Sequence, residues 1–130
     1  MDMIWYESLN KPALTPPDWI FTPAWIYLYV LIFLALFTFI YTKTDKDKKL
    51  GYFLFGIQMV LNFCWTPAFF YLQNIIMSFV IIILMLVFVF MTMAEFYKVS
   101  KVSAALLVPY FLWVCFATYL NYGMMYLNTL

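Results

Sequence analysis

The chain has 130 residues, of which 68% are hydrophobic, 24% aromatic and only 10% charged. A soluble domain carries roughly 25% charged residues, so folding in water is excluded and an all-α integral membrane protein is expected. A net charge of +1 points to no nucleic acid partner.

Residue types narrow the chemistry further. Every basic residue is lysine, so no arginine fork is present to clamp a carboxylate or phosphate. Histidine is absent, which removes the commonest general base, metal ligand and haem axial ligand. No metal site and no required cofactor are therefore expected. Cys64 and Cys115 lie in apolar segments and read as small buried hydrophobes, not as a disulfide framework. The segment Met1 to Glu7 lacks the basic-then-apolar order of a cleavable signal peptide, so the spanning helices are expected to direct insertion themselves.

In chain order, the first feature is Lys11-Pro12-Ala13-Leu14-Thr15-Pro16-Pro17-Asp18-Trp19. Its prolines forbid a continuous helix and favour an extended segment. With Trp5, Tyr6, Trp19, Phe21 and Trp25 around it, it reads as an outer interfacial stretch, either an aromatic belt or a lid.

Charges then divide the chain into apolar blocks: Trp19 to Thr42, Leu50 to Ala94 and Val102 to Leu130. About 20 helical residues cross the hydrocarbon core, so the first and third blocks each fit one crossing. The middle block would be roughly 60 Å or longer as a single helix and must fold in two. The break falls at Tyr71-Leu72-Gln73-Asn74, with Asn74 capping the next helix. Four spanning helices are predicted, at about 23–42, 51–71, 75–97 and 103–127, within one domain of residues 1–130. Thr22 before Pro23, and Ser103 before Ala104, read as N-caps. Pro67 and Pro109 fall inside helices and are expected to kink them.

The loops 43–49 and 98–101 hold nearly all the lysine and share one membrane face. The positive-inside rule puts them in the cytoplasm and both termini outside. Glu95, three residues before Lys98, reads as half of an interfacial ion pair.

Polar groups inside the apolar blocks carry the functional signal. At 100° per residue, Gln58, Asn62, Trp65 and Phe69 share an arc of roughly 60°. Tyr110, Trp113, Ala117, Asn121 and Met124 share one of roughly 80°. Buried amides need partners, so both stripes should face protein or ligand. Facing one another, they form either a hydrogen-bonded aromatic core or a flat apolar slot with polar anchors.

Several spaced blocks resemble the TspO/translocator protein family, the tryptophan-rich sensory proteins or peripheral benzodiazepine receptors. They are Trp5-Tyr6-x-x-Leu9-x-Lys11-Pro12, Pro16-Pro17-x-Trp19, Pro23-x-Trp25-x-x-Leu28-Tyr29, Gln58-x-x-Leu61-Asn62-x-x-Trp65-x-x-x-Phe69-Phe70, Tyr97-x-Val99-Ser100 and Pro109-Tyr110-x-x-Trp113-x-x-Phe116-Ala117-x-x-Leu120-Asn121-Tyr122. The resemblance implies a TspO-like helical bundle, usually a homodimer, with a cavity beneath a proline-rich loop. It implies binding of porphyrin, haem or another flat aromatic molecule. Trp25, Tyr29, Gln58, Asn62, Trp65, Tyr110, Trp113, Phe116, Ala117 and Asn121 are then the ligand-binding candidates. Trp25 and Trp113 are also candidate redox partners in light- and oxygen-dependent porphyrin breakdown, the alternative to simple binding. A porphyrin or small-molecule carrier is a third reading.

The chain departs from the family in three places. It starts where the family's first helix should have ended, giving four spanning helices in place of five. From this, Asn62 or Asn121 is expected to open toward lipid unless an upstream helix, a second protomer or a lipid closes the gap. Leu14 and Ile81 stand where many members have tryptophan and aspartate. No Lys or Arg follows Tyr122, so the sterol-recognition pattern fails and cholesterol is a poor ligand.

Overall fold

The computed structural model describes residues 21–129; the expectations for the proline-rich segment before them, Leu14 included, lie outside the described residues. The described residues form four helices: α1 (Phe21–Tyr41), α2 (Lys49–Thr66, continued by a π turn, Pro67–Tyr71), α3 (Ile75–Val99) and α4 (Lys101–Thr129). Each is long and apolar enough to cross a membrane. Helix α3 is the most apolar of the four and α2, which carries the amides, the least.

Buried positions recur at alternating steps of three and four. On α3 they are Ile75, Ser78, Ile82, Met85, Val89, Thr92 and Phe96. On α4 the same rhythm runs through Ser103, Leu107, Tyr110, Val114, Ala117, Asn121 and Met124. That spacing makes a narrow seam of the kind left-handed bundles pack along. The remaining faces are apolar and exposed (Phe33, Phe37, Phe53, Phe90, Leu112), as lipid contact requires.

Helix α4 packs along both α1 and α3, and α3 packs along α2. Helices α1 and α2, although consecutive, bring few backbone atoms together. Aromatic side chains span the space between them: Phe39 meets Tyr52 edge-on at 5.3 Å, and Tyr29 stacks on Phe63 at 6.3 Å.

At the lysine-bearing end, Phe39 stacks on Phe96 at 4.1 Å, and Phe55 lies parallel to Phe96 at 6.0 Å. Gly51 lies beneath this stack, where a Cβ would stand 2.6 Å from Phe39 Cζ. Lys48 Nζ donates to the Ile40 and Thr42 carbonyls at 2.8 Å each, closing the end of α1. Lys46 Nζ donates to the Lys98 carbonyl at 2.5 Å, tying the loop after α1 to the end of α3. Both lysine-rich segments therefore meet at one end of the bundle. The Glu95–Lys98 ion pair forms at 2.6 Å.

Several local readings change. Helix α1 already includes Phe21, so Thr22 is not its N-cap. Ser103 does not cap α4. Ser100 Oγ accepts from the Ser103 N–H at 3.2 Å, and the Ser103 hydroxyl donates to the Ala35 carbonyl of α1 at 2.6 Å. Cys64 is exposed and Cys115 only partly buried, because neither falls on the three-four rhythm. Asn74 does cap α3, accepting from the Met77 N–H at 2.9 Å.

Pro67 winds the end of α2 into a π turn. A proline has no N–H for the carbonyl four residues earlier, and the ladder shifts to wider bonds. Leu72 N–H then reaches Pro67 O at 2.9 Å, and Asn74 N–H reaches Ala68 O at 3.1 Å. Gln73 closes the turn at a φ of 53°.

Candidate functional site

Toward the end of the bundle opposite the lysines, α1, α2 and α4 converge on a chain of polar side chains. The Tyr29 hydroxyl of α1 donates to Asn62 Oδ1 of α2. Asn62 Nδ2 donates to the Tyr110 hydroxyl of α4 at 2.9 Å, and that hydroxyl donates to Gln58 Oε1, back on α2, at 2.7 Å. Gln58 is 1% exposed and Asn62 4%, and Tyr110 is fully buried. Among the described residues, Gln58 Nε2 meets no hydrogen-bond partner. A buried amide donor left in that state costs about 1–3 kcal/mol.

A second polar pair lies nearer the π turn. Trp65 Nε1 donates to Asn121 Oδ1 at 2.9 Å, and Asn121 Nδ2 donates to the Ile75 carbonyl at 3.3 Å. Trp65 also stacks on Phe69 at 5.3 Å. Asn121 is 2% exposed, so neither it nor Asn62 opens toward lipid, contrary to the expectation from the sequence. Tyrosines cover one amide; the Trp65 indole and a helix-end carbonyl cover the other.

Aromatic rings frame the polar chain. Trp25 meets Trp113 edge-on at 6.1 Å and Tyr29 at 5.9 Å. Trp113 lies 5.9 Å from Phe116. Ala117, one turn beyond Trp113, is buried in the core. On the lipid side of the α1–α4 seam, Ala24, Tyr27, Leu28, Pro109, Leu112, Trp113 and Phe116 line an apolar groove of about 360 Å³.

The structure thus brings Tyr29, Gln58, Asn62 and Tyr110 together as one unit, and Trp65 with Asn121 as another. Trp25, Trp113 and Phe116 form a third group, the last two lining the groove. Phe63, stacked on Tyr29, was missed, as were the groove residues Ala24, Tyr27, Leu28, Pro109 and Leu112. Their signal is in the sequence: 24, 27, 28 and 109, 112, 113, 116 are helical stripes.

The chain matches the TspO/MBR family over residues 1–127. It is 41% identical over 125 residues to the tryptophan-rich protein TspO of Chlorobaculum tepidum, covering 95% of this chain and 79% of that one. It is 34% identical to protein CrtK of Rhodobacter capsulatus, covering 95% and 78%. With the translocator protein of Ovis aries it shares 35% over 127 residues, covering 92% and 72%. A match across nearly the whole chain, over helices that fit a membrane, makes this multi-pass integral membrane protein a member of the TspO/MBR family.

Proposed function

We propose that the chain is a membrane receptor for a flat apolar ligand, most simply a tetrapyrrole, held where α1, α2 and α4 meet. The observation that carries this reading is the junction of half-buried Trp25, Tyr29, Trp113 and Phe116 with a polar chain ending on an amide donor that meets no partner among the described residues. Flat rings supply stacking surface, and a few buried polar atoms orient an edge. The kinship to tryptophan-rich sensory proteins supports the same reading. The groove of about 360 Å³ beside this junction is lined from α1 and α4 alone, with Trp113 and Phe116 as the shared residues. It is at the small end for ligand sites, so a macrocycle seated there would leave one edge in the lipid. Without histidine, metal-free porphyrin is favoured over haem.

Titration with protoporphyrin IX, followed by quenching of tryptophan fluorescence, tests the proposal. Saturable quenching is expected in the micromolar range, weakened by Trp25→Phe and by Trp113→Phe. Unchanged fluorescence up to tens of micromolar, a weak limit for such sites, removes the tetrapyrrole.

The 6.1 Å contact of Trp25 with Trp113 favours a second reading, light-driven oxidation of bound porphyrin by dioxygen with the indoles relaying electrons. Bleaching that persists equally in Trp113→Phe under illumination would leave binding alone. In the bilayer, we place the lysine-bearing end in the cytoplasm, both termini of this chain outside, and a second copy of the chain as partner.

A further inference from the structure

We propose that Gln58 and Tyr110 are positioning residues that set whether Tyr29 offers the ligand a hydrogen-bond acceptor or a donor. The ligand-binding part of this inference rests on the function proposed above; the hydrogen-bond mechanism does not. In the structure every proton in the chain points one way, from Tyr29 to Asn62, from Asn62 to Tyr110 and from Tyr110 to Gln58. Tyr29 has then given its proton away, and its oxygen can only accept. The donor left over among the described residues is at the far end, on Gln58 Nε2.

The same heavy atoms support the opposite sense. Amide oxygen and nitrogen are nearly isosteric, and hydroxyl protons rotate freely. Turning both amides over lets Gln58 Nε2 donate to Tyr110, Tyr110 to Asn62 Oδ1, and Asn62 Nδ2 to Tyr29. Each pair of partners is kept, the Tyr29–Asn62 contact lengthening from an O–H···O to an N–H···O spacing, and the Tyr29 proton is released. The buried end then holds an unpaired carbonyl in place of an unpaired N–H. Neither sense satisfies Gln58 completely, so neither is strongly preferred, and the half-buried Tyr29 end can serve either kind of ligand group.

Gln58 is the residue that allows both senses, because its amide can accept from Tyr110 or donate to it. An apolar residue there removes that choice. The buried Tyr110 hydroxyl keeps Asn62 as its one partner in the chain and must give its proton to Asn62 Oδ1. Asn62 then donates to Tyr29, and the reversed sense is fixed. Gln58 touches no ligand in this account and acts through two intermediates.

Carbazole and 9-fluorenone test the proposal. Both are flat and tricyclic; the first offers only an N–H donor, the second only a carbonyl acceptor. Wild type should bind both with similar affinity. Gln58→Leu should weaken carbazole about tenfold, the equivalent of one hydrogen bond, and leave fluorenone unchanged or tighter. Equal weakening of both, as a merely structural role predicts, or no change in either, overturns the proposal. Where leucine impairs folding, Gln58→Met keeps the side-chain length. A second measurement needs no ligand: the infrared C–O stretch of Tyr29, isolated by subtracting the spectrum of Tyr29→Phe. Wild type, which holds both senses, should show both the donating and the accepting phenol positions, and Gln58→Leu should keep only the accepting one; a band pattern left unchanged overturns the mechanism. If neither probe binds wild type while the bands change, the ligand-binding part of this inference falls, the polar mechanism stands, and the protoporphyrin titration alone decides the receptor reading.

Discussion

Phe39 cannot easily give way to a neighbour, since it is 1% exposed and stacked flat on Phe96. Gly51→Ala, which places a methyl 2.6 Å from its ring, should therefore destabilise the bundle by about 1–3 kcal/mol, the usual cost of overpacking. A fluorescence melt in detergent should show the drop, and Phe39→Leu in the same chain should recover much of it. A melt unchanged by alanine would mean that the ring moves freely. The sequence showed other single residues well when their role followed from helical spacing. Gln58, Asn62 and Trp65 were expected on one face, Tyr110 and Asn121 on another, and the two faces do meet. What spacing cannot encode is rotation and depth. The pairing of Tyr29 with Asn62, the stacking of Phe63 on Tyr29, and the pocket for Phe39 over Gly51 all depend on how far α1 stands from α2.

At the scale of elements, three long charge-free runs marked the four helices, because the membrane imposes a length that lysine clusters delimit and that the middle run exceeds. Their ends were less legible. Ser100 and Ser103 both stand near the start of α4, and only the Ala35 carbonyl, remote in sequence, decides which hydroxyl is used elsewhere. Pro67 was expected to kink α2; lacking an N–H, it opens the ladder into a π turn, after which the chain reverses to reach Asn74. That reversal needs a left-handed residue, and Gln73 fills the place at a φ of 53°. A side chain there costs about 1–2 kcal/mol relative to glycine, partly offset because glycine loses more entropy on folding. Gln73→Gly should thus leave stability equal or raise it by up to about 1 kcal/mol, read as melting temperature. A clear loss would show that the Gln73 side chain supports the turn.

Across the whole molecule, the order of helices around the bundle follows from no local signal. Helix α4 lies between α1 and α3, and the consecutive α1 and α2 are held apart by rings. Helix α2 consequently has one face committed to the site and another turned outward. On that outward face, Tyr52, Phe53, Gly56, Ile57, Val60 and Leu61 line a groove of about 460 Å³. In lipid, where tails are as apolar as side chains, helices associate where small residues admit close backbone contact. Gly56 is such a place, since a Cβ built there meets nothing within 4 Å. It is therefore the natural seat for the second copy of the chain proposed above. Its contrast with Gly51, on the same helix, makes the test clean. Gly51→Ala should lower the melt through the packing of one protomer. Gly56→Leu should leave each protomer folded and lose the dimer, as read by cross-linking in nanodiscs assembled at low protein-to-lipid ratio. Undiminished cross-linking in Gly56→Leu would move the protomer contact to another face; a monomeric wild type would remove it.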